Sequence, residues 1–500
     1  MLEKRIVVFV HGWSVHHTNT YGEFPERLIS EANAQGLPLD VKHIWLGKYV
    51  SFSDAVCMED LSRAFQAALQ RELAGELKKK RRFICITHST GGPVMRDWWH
   101  RYYLRKTDAG LCPMSHLIML APANFGSALA QLGKSRVGRI KAWFEGIEPG
   151  QGVLDWLEFG SPEAWALNQE WIQQSRNVME KNDVYLFVLT GQAIDRKLYD
   201  HLNSYTGEAG SDGVVRVAAA NLNATIVRLA QEPPEKGKEA HFVPDGRPKD
   251  SPRVAFSLIS GRSHSGEDKG ILRSVEDNDT PHPTVEAAIQ CIQVSQQKDY
   301  DQLCKEFSDQ TAKVFQQEQV EIEDRLFLPD TIYFHDAHAM VIFRIHDDCG
   351  FPVTDFDLKL LGGFRDEINP DLLPQGFFVD RQRNRRHGGT LTYYLNHDLM
   401  VGTEELKDPK GKVVREKRIG SESIGLELVA RPGDGLVHYV PGVLKTATKS
   451  LGDYLKPHQT TLVDVVLRRV VHEGTFRLTR DLKRADFAKE ALKNPGDPIE

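Results

Sequence analysis

The sequence predicts an α/β fold built on a mostly parallel sheet, followed by a mainly β region. Three observations carry this. From residue 1 to about residue 275, short apolar runs alternate with helix-like stretches, as in a parallel sheet covered by helices on both faces. Those runs are continuous Val, Ile, Leu and Phe, the composition of strands buried on both sides. From about Leu326 onward the chain changes to short β-branched or alternating runs broken by turn residues, which predicts an antiparallel sandwich.

The elements follow in order. Ile6–Val10 reads as a buried strand, Phe24–Ala34 as a helix and Val41–Leu46 as a strand. Leu61, Phe65, Leu69, Leu73 and Leu77 recur every fourth residue and mark one face of an amphipathic helix. Phe83–Ile86 is strand-like, Gly91–Leu104 helical, and His116–Leu120, Val184–Thr190, Val214–Ala218 and Val254–Ile259 are further strands. Residues 124–176 interrupt this rhythm with Trp143, Phe144, Trp156, Phe159, Trp165 and Trp171. They read as an inserted cap or lid over a pocket, or as aromatics that pack the insertion onto the core. Residues 276–285 are polar and contain prolines, as at a domain junction, and Val285–Gln316 reads as helical. The expected organisation is a catalytic domain over 1–275, a linker and helical segment over 276–325 and an accessory domain over 326–500. Its strands are expected at Thr331–Phe334, Met340–Ile345, Phe356–Leu360, Thr390–Leu395, Gly425–Ala430, Thr460–Leu467 and Thr475–Leu478.

Composition narrows the function classes. Of the 500 residues 41% are hydrophobic and 26% charged, the mix of a globular protein. A net charge of −6 gives no reason to expect a nucleic-acid partner. No run approaches the ~20 apolar residues that span a bilayer. Glu3, Lys4 and Arg5 precede an apolar run too short for a signal peptide. Synthesis in the cytoplasm is expected, with any export by a route that leaves no cleavable signal. Cys57, Cys85, Cys112, Cys291, Cys304 and Cys349 lack C-x-x-C spacing, so free thiols are expected rather than disulfides or a zinc site.

The strongest chemical signal is Thr87-His88-Ser89-Thr90-Gly91-Gly92, which follows a strand and opens a helix. It matches the nucleophile elbow G-x-S-x-G with Thr87 in place of the first Gly. The sharp turn demands small residues two before and two after the serine, and it aims Ser89 at a helix N-terminus, where developing negative charge is favoured. The second signal is Val8-Phe9-Val10-His11-Gly12-Trp13, a strand that ends in His-Gly. A loop after an early strand donates one backbone N–H to an oxyanion hole, and the residue after the nucleophile donates the other. Those donors would be Trp13 and Thr90. His11 precedes the nucleophile and His88 adjoins it along a turn that should point it away, so both read as structural.

The acid and the base should follow in that order. Asp212, in Gly210-Ser211-Asp212-Gly213-Val214-Val215, is the favoured acid; Asp195 is its rival and Asp200 a weaker one, since Asp-Gly is also an ordinary turn. His264 lies in Ser260-Gly261-Arg262-Ser263-His264-Ser265-Gly266, directly after a strand, and is the favoured base, with His282 in reserve. Serine is a poor nucleophile until an imidazole takes its proton, and the imidazole needs a carboxylate to hold its tautomer.

Residues 1 to about 275 resemble the lipase and phospholipase branch of the α/β-hydrolase superfamily. The resemblance rests on His11-Gly12, on Thr87 to Gly92, on Asp212-Gly213-Val214-Val215 and on Ala121-Pro122-Ala123-Asn124-Phe125-Gly126-Ser127. It implies carboxylic ester hydrolysis of a lipid substrate, phospholipid or acylglycerol, at or near a membrane surface and without a cofactor. Bacterial lipase effectors delivered by type VI secretion are similar in this architecture, and that similarity would imply an inhibitor, immunity or carrier protein as a partner. A hydrolase fold kept only for binding is the competing class. The basic run Lys78 to Arg82 and the charged clusters at Asp347-Asp348, Asp355, Asp357 and Arg381 to Arg386 read as solvated loops, and no metal is expected.

Overall fold

The computed structural model describes residues 3–11, 20–51, 53–106, 110–132, 150–194, 208–233, 240–323, 331–364, 367–407, 411–444 and 450–472. Its first layer is a six-stranded sheet. The strands are β1 (Arg5–His11), β2 (Leu39–Trp45), β3 (Phe83–His88), β4 (Met114–Leu120), β5 (Tyr185–Thr190) and, after three strands that go elsewhere, β9 (Ala255–Leu258). The order is β2-β1-β3-β4-β5-β9 and every pairing is parallel. The all-apolar strands are the reason: β3 to β5 and β9 bury almost every residue because helices cover both faces.

The flanking helices form where the four-residue periodicity places them. Phe24–Ala34 matches its expected range, and Met58–Glu72 buries Leu61, Phe65 and Leu69. Gly91–Trp99 is helical and closes in a π turn over His100–Leu104. The expected strand Val214–Ala218 is not one. Residues 212–215 form a turn around the Asp212 side chain, and Val217–Ala220 is a short helix. A side-chain carboxylate that takes the backbone N–H groups of its own turn leaves none for a ladder.

The second sheet is mixed and draws on both halves of the chain. Strands β6 (Ala224–Gln231), β7 (Ala240–Pro244) and β8 (Lys249–Asp250) leave the parallel sheet and join it. Its main path runs Glu367–Asn369, Phe356–Phe364, Ser423–Ala430, Gly442–Leu444, β7, β6, Thr460–Leu467, His338–Asp347, Thr390–Asn396 and Phe378–Arg383. β6 and Thr460–Leu467 lie side by side in parallel, from Thr460 opposite Ala224 to Val466 opposite Ala230. The strand pairing therefore crosses the boundary expected at residue 275. The expected Thr475–Leu478 strand lies outside the described residues.

The helical reading of Val285–Gln316 falls on two helices. Helices Pro283–Gln293 and Gln297–Glu318 cover the parallel sheet, and Tyr300 inserts its hydroxyl to donate to Leu186 O at 2.7 Å and accept from Ala255 N at 3.1 Å. In the insertion, Trp156, Phe159, Trp165 and Trp171 are buried in the first core, so packing accounts for them. Trp143 and Phe144 lie outside the described residues.

A chain cut after residue 275 keeps β7 and β8 beside β6 but loses its parallel partner Thr460–Leu467 and the helices that cover β9. Expressed alone, residues 1–275 should give no cooperative thermal transition while the full chain does; a fragment with a sharp transition and native-like near-UV circular dichroism would contradict this.

Candidate active site

Strand β3 delivers Ser89 into a tight turn before helix Gly91–Trp99, with Thr90 at the N-cap. Ser89 has φ of +52°, a left-handed conformation that costs a non-glycine residue about 1–3 kcal/mol. Neighbouring backbone holds it there: Ser89 N donates to Leu120 O at 3.0 Å, and Ser89 O accepts from Gly92 N at 3.2 Å and Ala123 N at 3.4 Å. A Cβ on residue 91 would stand 3.1 Å from the Cβ of Thr87. The residues two before and two after the serine face each other closely, so Thr87 is tolerated with glycine opposite.

Asp212 and His264 arrive from two loops locked together. The backbone N–H of His264 donates to Asp212 O at 2.9 Å. His264 Nδ1 lies 2.9 Å from Asp212 Oδ2, and Nε2 lies 3.1 Å from Ser89 Oγ. The other carboxylate oxygen of Asp212 accepts from Val214 N at 3.0 Å and Val215 N at 2.7 Å. Both side chains are fully buried. With a carboxylate on Nδ1, that nitrogen carries the proton and Nε2 faces the serine hydroxyl as an acceptor. Residues 89, 212 and 264, singled out by their order in the sequence, are thus brought into one hydrogen-bonded chain.

The remaining candidates fall elsewhere. Asp195, Asp200, Gly12 and Trp13 lie outside the described residues. His282 caps helix Pro283–Gln293, where its Nδ1 accepts from Thr284 N at 3.3 Å and Nε2 meets Ser274 Oγ at 3.1 Å. His11 ends β1, stacks on Trp45 at 4.8 Å and shares a 2.8 Å hydrogen bond from Nε2 to His43 Nδ1. Burial, and then the neighbouring His43, press its pKa down to about 3.

His88 is the residue whose part the sequence did not disclose. Its ring does not point away from the site. Nε2 donates to the carbonyl of His264 at 3.2 Å, and the two rings lie 4.7 Å apart. Burial, then the His264 ring, hold its pKa well below the usual histidine value, so it stays neutral beside His264. The strand-to-loop pairing that makes this contact spans 176 positions, and no local pattern encodes it.

Among the described residues one group has metal-ligand proximity, Asp347, Asp348 and Cys349. Asp347 Oδ1 there accepts from Cys349 N at 3.0 Å and Phe351 N at 2.9 Å, as a turn-forming carboxylate does. No described helix is long and apolar enough to cross a membrane.

A parallel sheet flanked by helices, with a serine at positive φ on the turn between strand and helix, defines an α/β-hydrolase. No family model matches the chain, and no curated protein matches it. Solved structures do. Phospholipase PlaB from Legionella pneumophila is 42% identical over 96% of this chain and 97% of that one, with a TM-score of 0.83. The same phospholipase in complex with thio-NAD aligns at 40% identity over the same shares, again with a TM-score of 0.83. The lipase BlEst2 from Bacillus licheniformis, in mature form, is 20% identical over 44% of this chain and 79% of that one, with a TM-score of 0.29. The chain belongs to the PlaB family of α/β-hydrolases and is a carboxylic ester hydrolase.

Buried histidines make the fold acid-sensitive. Burial presses His11 to about 3, and His116 and His338 each to about 4, from an ordinary value of 6.5. Unfolding lets each take up a proton, so the stability they contribute is complete above pH 6.5 and drains as pH falls towards the folded values. Each loses up to ~1.4 kcal/mol per pH unit. The thermal midpoint should fall steadily from about pH 7 to about pH 5, as differential scanning fluorimetry reads it; a flat profile over that range would refute the assignment.

Proposed function

We propose that the chain hydrolyses carboxylic ester bonds of phospholipids through an acyl-enzyme on Ser89. The carrying observation is the continuous hydrogen-bond chain from Ser89 Oγ through His264 to the buried Asp212. The substrate class is taken from the Legionella phospholipase, whose identity to this chain extends over nearly its whole length.

Ser89 Oγ attacks the acyl carbonyl as His264 Nε2 takes its proton. Asp212 accepts the Nδ1 proton's hydrogen bond and stabilises the imidazolium without being protonated itself. The negative oxygen of the tetrahedral intermediate is held by the backbone N–H groups of Thr90 and Trp13, the former at the N-cap of helix Gly91–Trp99. His264 then protonates the leaving alcohol, and water activated by the same ring cleaves the acyl-enzyme. Oxidation states do not change in any of these steps. The thio-NAD found with the Legionella phospholipase would therefore be a ligand here and not a reactant, and purified chain should hydrolyse ester with no nucleotide added.

Ser89→Ala should abolish fatty-acid release from phosphatidylcholine vesicles and covalent labelling by a fluorophosphonate probe, with the thermal midpoint unchanged. Asp212→Asn should keep the fold and lower kcat by roughly 10³–10⁴. Full release by Ser89→Ala would overturn the reading, and an unlabelled wild-type serine would favour a fold retained for binding.

A further inference from the structure

The loop that carries Asp212 is held from the second sheet. Arg216 lies four residues after the acid, is 1% exposed, and is paired with Ser211 across the turn. Its Nε and Nη2 donate to Glu208 Oε2 at 2.7 Å and Oε1 at 2.8 Å, and Nη2 also reaches the Asp380 carboxylate. The guanidinium carbon lies 5.0 Å from the Phe159 ring centroid and 4.2 Å from that of Tyr394. Asp380 and Tyr394 face each other across the antiparallel pair Phe378–Arg383 and Thr390–Asn396. Tyr394 adds a second hold: its hydroxyl shares its one proton between Ala209 O at 3.1 Å and Gly210 O at 3.0 Å. The fit there is close. Gly210 has φ of +71°, and a Cβ on it would stand 2.4 Å from the Tyr394 oxygen and 2.6 Å from His338 Nδ1.

We infer that Arg216, Asp380 and Tyr394 are positioning residues for ester hydrolysis: the second sheet grips residues 208–216 and so aims the Asp212 carboxylate at His264. The inference rests on the Ser89–His264–Asp212 reading. The physical case is one of direction. Asp212 sits in a turn, where neither a strand ladder nor a helix fixes its backbone, yet the Oδ2–Nδ1 contact must hold within a few tenths of an ångström to orient the imidazole. A guanidinium offers donors in a rigid fork, so pairing it with Glu208 of the loop and Asp380 of the sheet fixes both distance and angle. The Tyr394 hydroxyl fixes the backbone two and three residues before the acid. All these groups act through Asp212; none touches the serine.

The test is a double-mutant cycle on the full chain, read by hydrolysis of a soluble p-nitrophenyl ester. Tyr394→Phe keeps the ring and removes the shared hydrogen bond; Asp380→Asn keeps the shape and removes the charge. Each should lower kcat by about 10-fold with KM within about twofold, and in an Asp212→Asn background each should cost less than about twofold, because residues that act through one another are not additive. Tyr393→Phe is the matched control. It lies on the same strand as Tyr394, its hydroxyl donates to Leu358 O at 2.7 Å in Phe356–Phe364, and its loss should leave kcat unchanged. Unchanged kcat in both variants would overturn the proposal, as would equal losses in the two backgrounds or the same loss in Tyr393→Phe. Full activity of Asp212→Asn alone would instead bring down the triad reading on which the proposal stands. If Asp380→Asn fails to fold, Tyr394→Phe decides alone.

Discussion

Asp212 is a carboxylate with no contact to water, and much of the architecture follows from keeping it satisfied. A buried charge without partners costs several kcal/mol. Here three donors meet it: the imidazole on one oxygen and two backbone N–H groups on the other. To supply those two N–H groups the chain at 212–215 must curl into a turn and give up strand pairing. To supply the imidazole, the loop after β9 must fold back far enough for His264 N to donate to Asp212 O as well. The serine is the third party to this arrangement. Its left-handed φ is held by backbone from β4 and the turn after it, so strain at Ser89 is offset by hydrogen bonds from a neighbouring strand.

Two further histidines, both neutral, frame the His264–Asp212 contact. His88 ties the His264 carbonyl to the end of β3, and His11 anchors the end of β1. Both are desolvated enough to remain uncharged; on the proposed mechanism this matters, because a cation beside His264 would oppose formation of its imidazolium.

How far the sequence disclosed this depends on the range of the interactions. Strands β1, β3 to β5 and β9 were legible because burial on both faces writes itself as a mostly apolar run. Ser89 was legible because its turn imposes small residues locally, and Gly91 facing Thr87 shows that requirement directly. Asp212 and His264 were legible through chain order, although the Val214–Ala218 run, read as a strand, is a turn and a short helix whose apolar side chains are buried for another reason. The exit of β6, β7 and β8 into the second sheet was not legible. An apolar strand looks the same whichever sheet receives it, and the parallel partner of β6 begins at Thr460, more than two hundred residues later. His88 and Arg216 were missed for the same reason, since their partners are set by tertiary approach.

That crossing of strands bears on why a buried guanidinium sits at Arg216. A salt bridge taken out of water returns little net stability, and well-packed apolar side chains in its place would stabilise the fold about as well. What apolar packing does not supply is direction: methyl groups tolerate rotation and sliding, whereas a forked donor between two carboxylates does not. A loop tied by Leu or Met side chains to the sheet would be equally buried but free to shift by the fraction of an ångström that uncouples a carboxylate from an imidazole. Because β6 and Thr460–Leu467 make the second sheet continuous with the chain just beyond the acid loop, and Thr460 Oγ1 donates to Ala218 O at 2.8 Å, the sheet that grips this loop is itself registered against it. On the proposal made above, the mainly β part of the molecule belongs to the catalytic apparatus as a rigid frame, and its ionic contact is retained for orientation and not for stability.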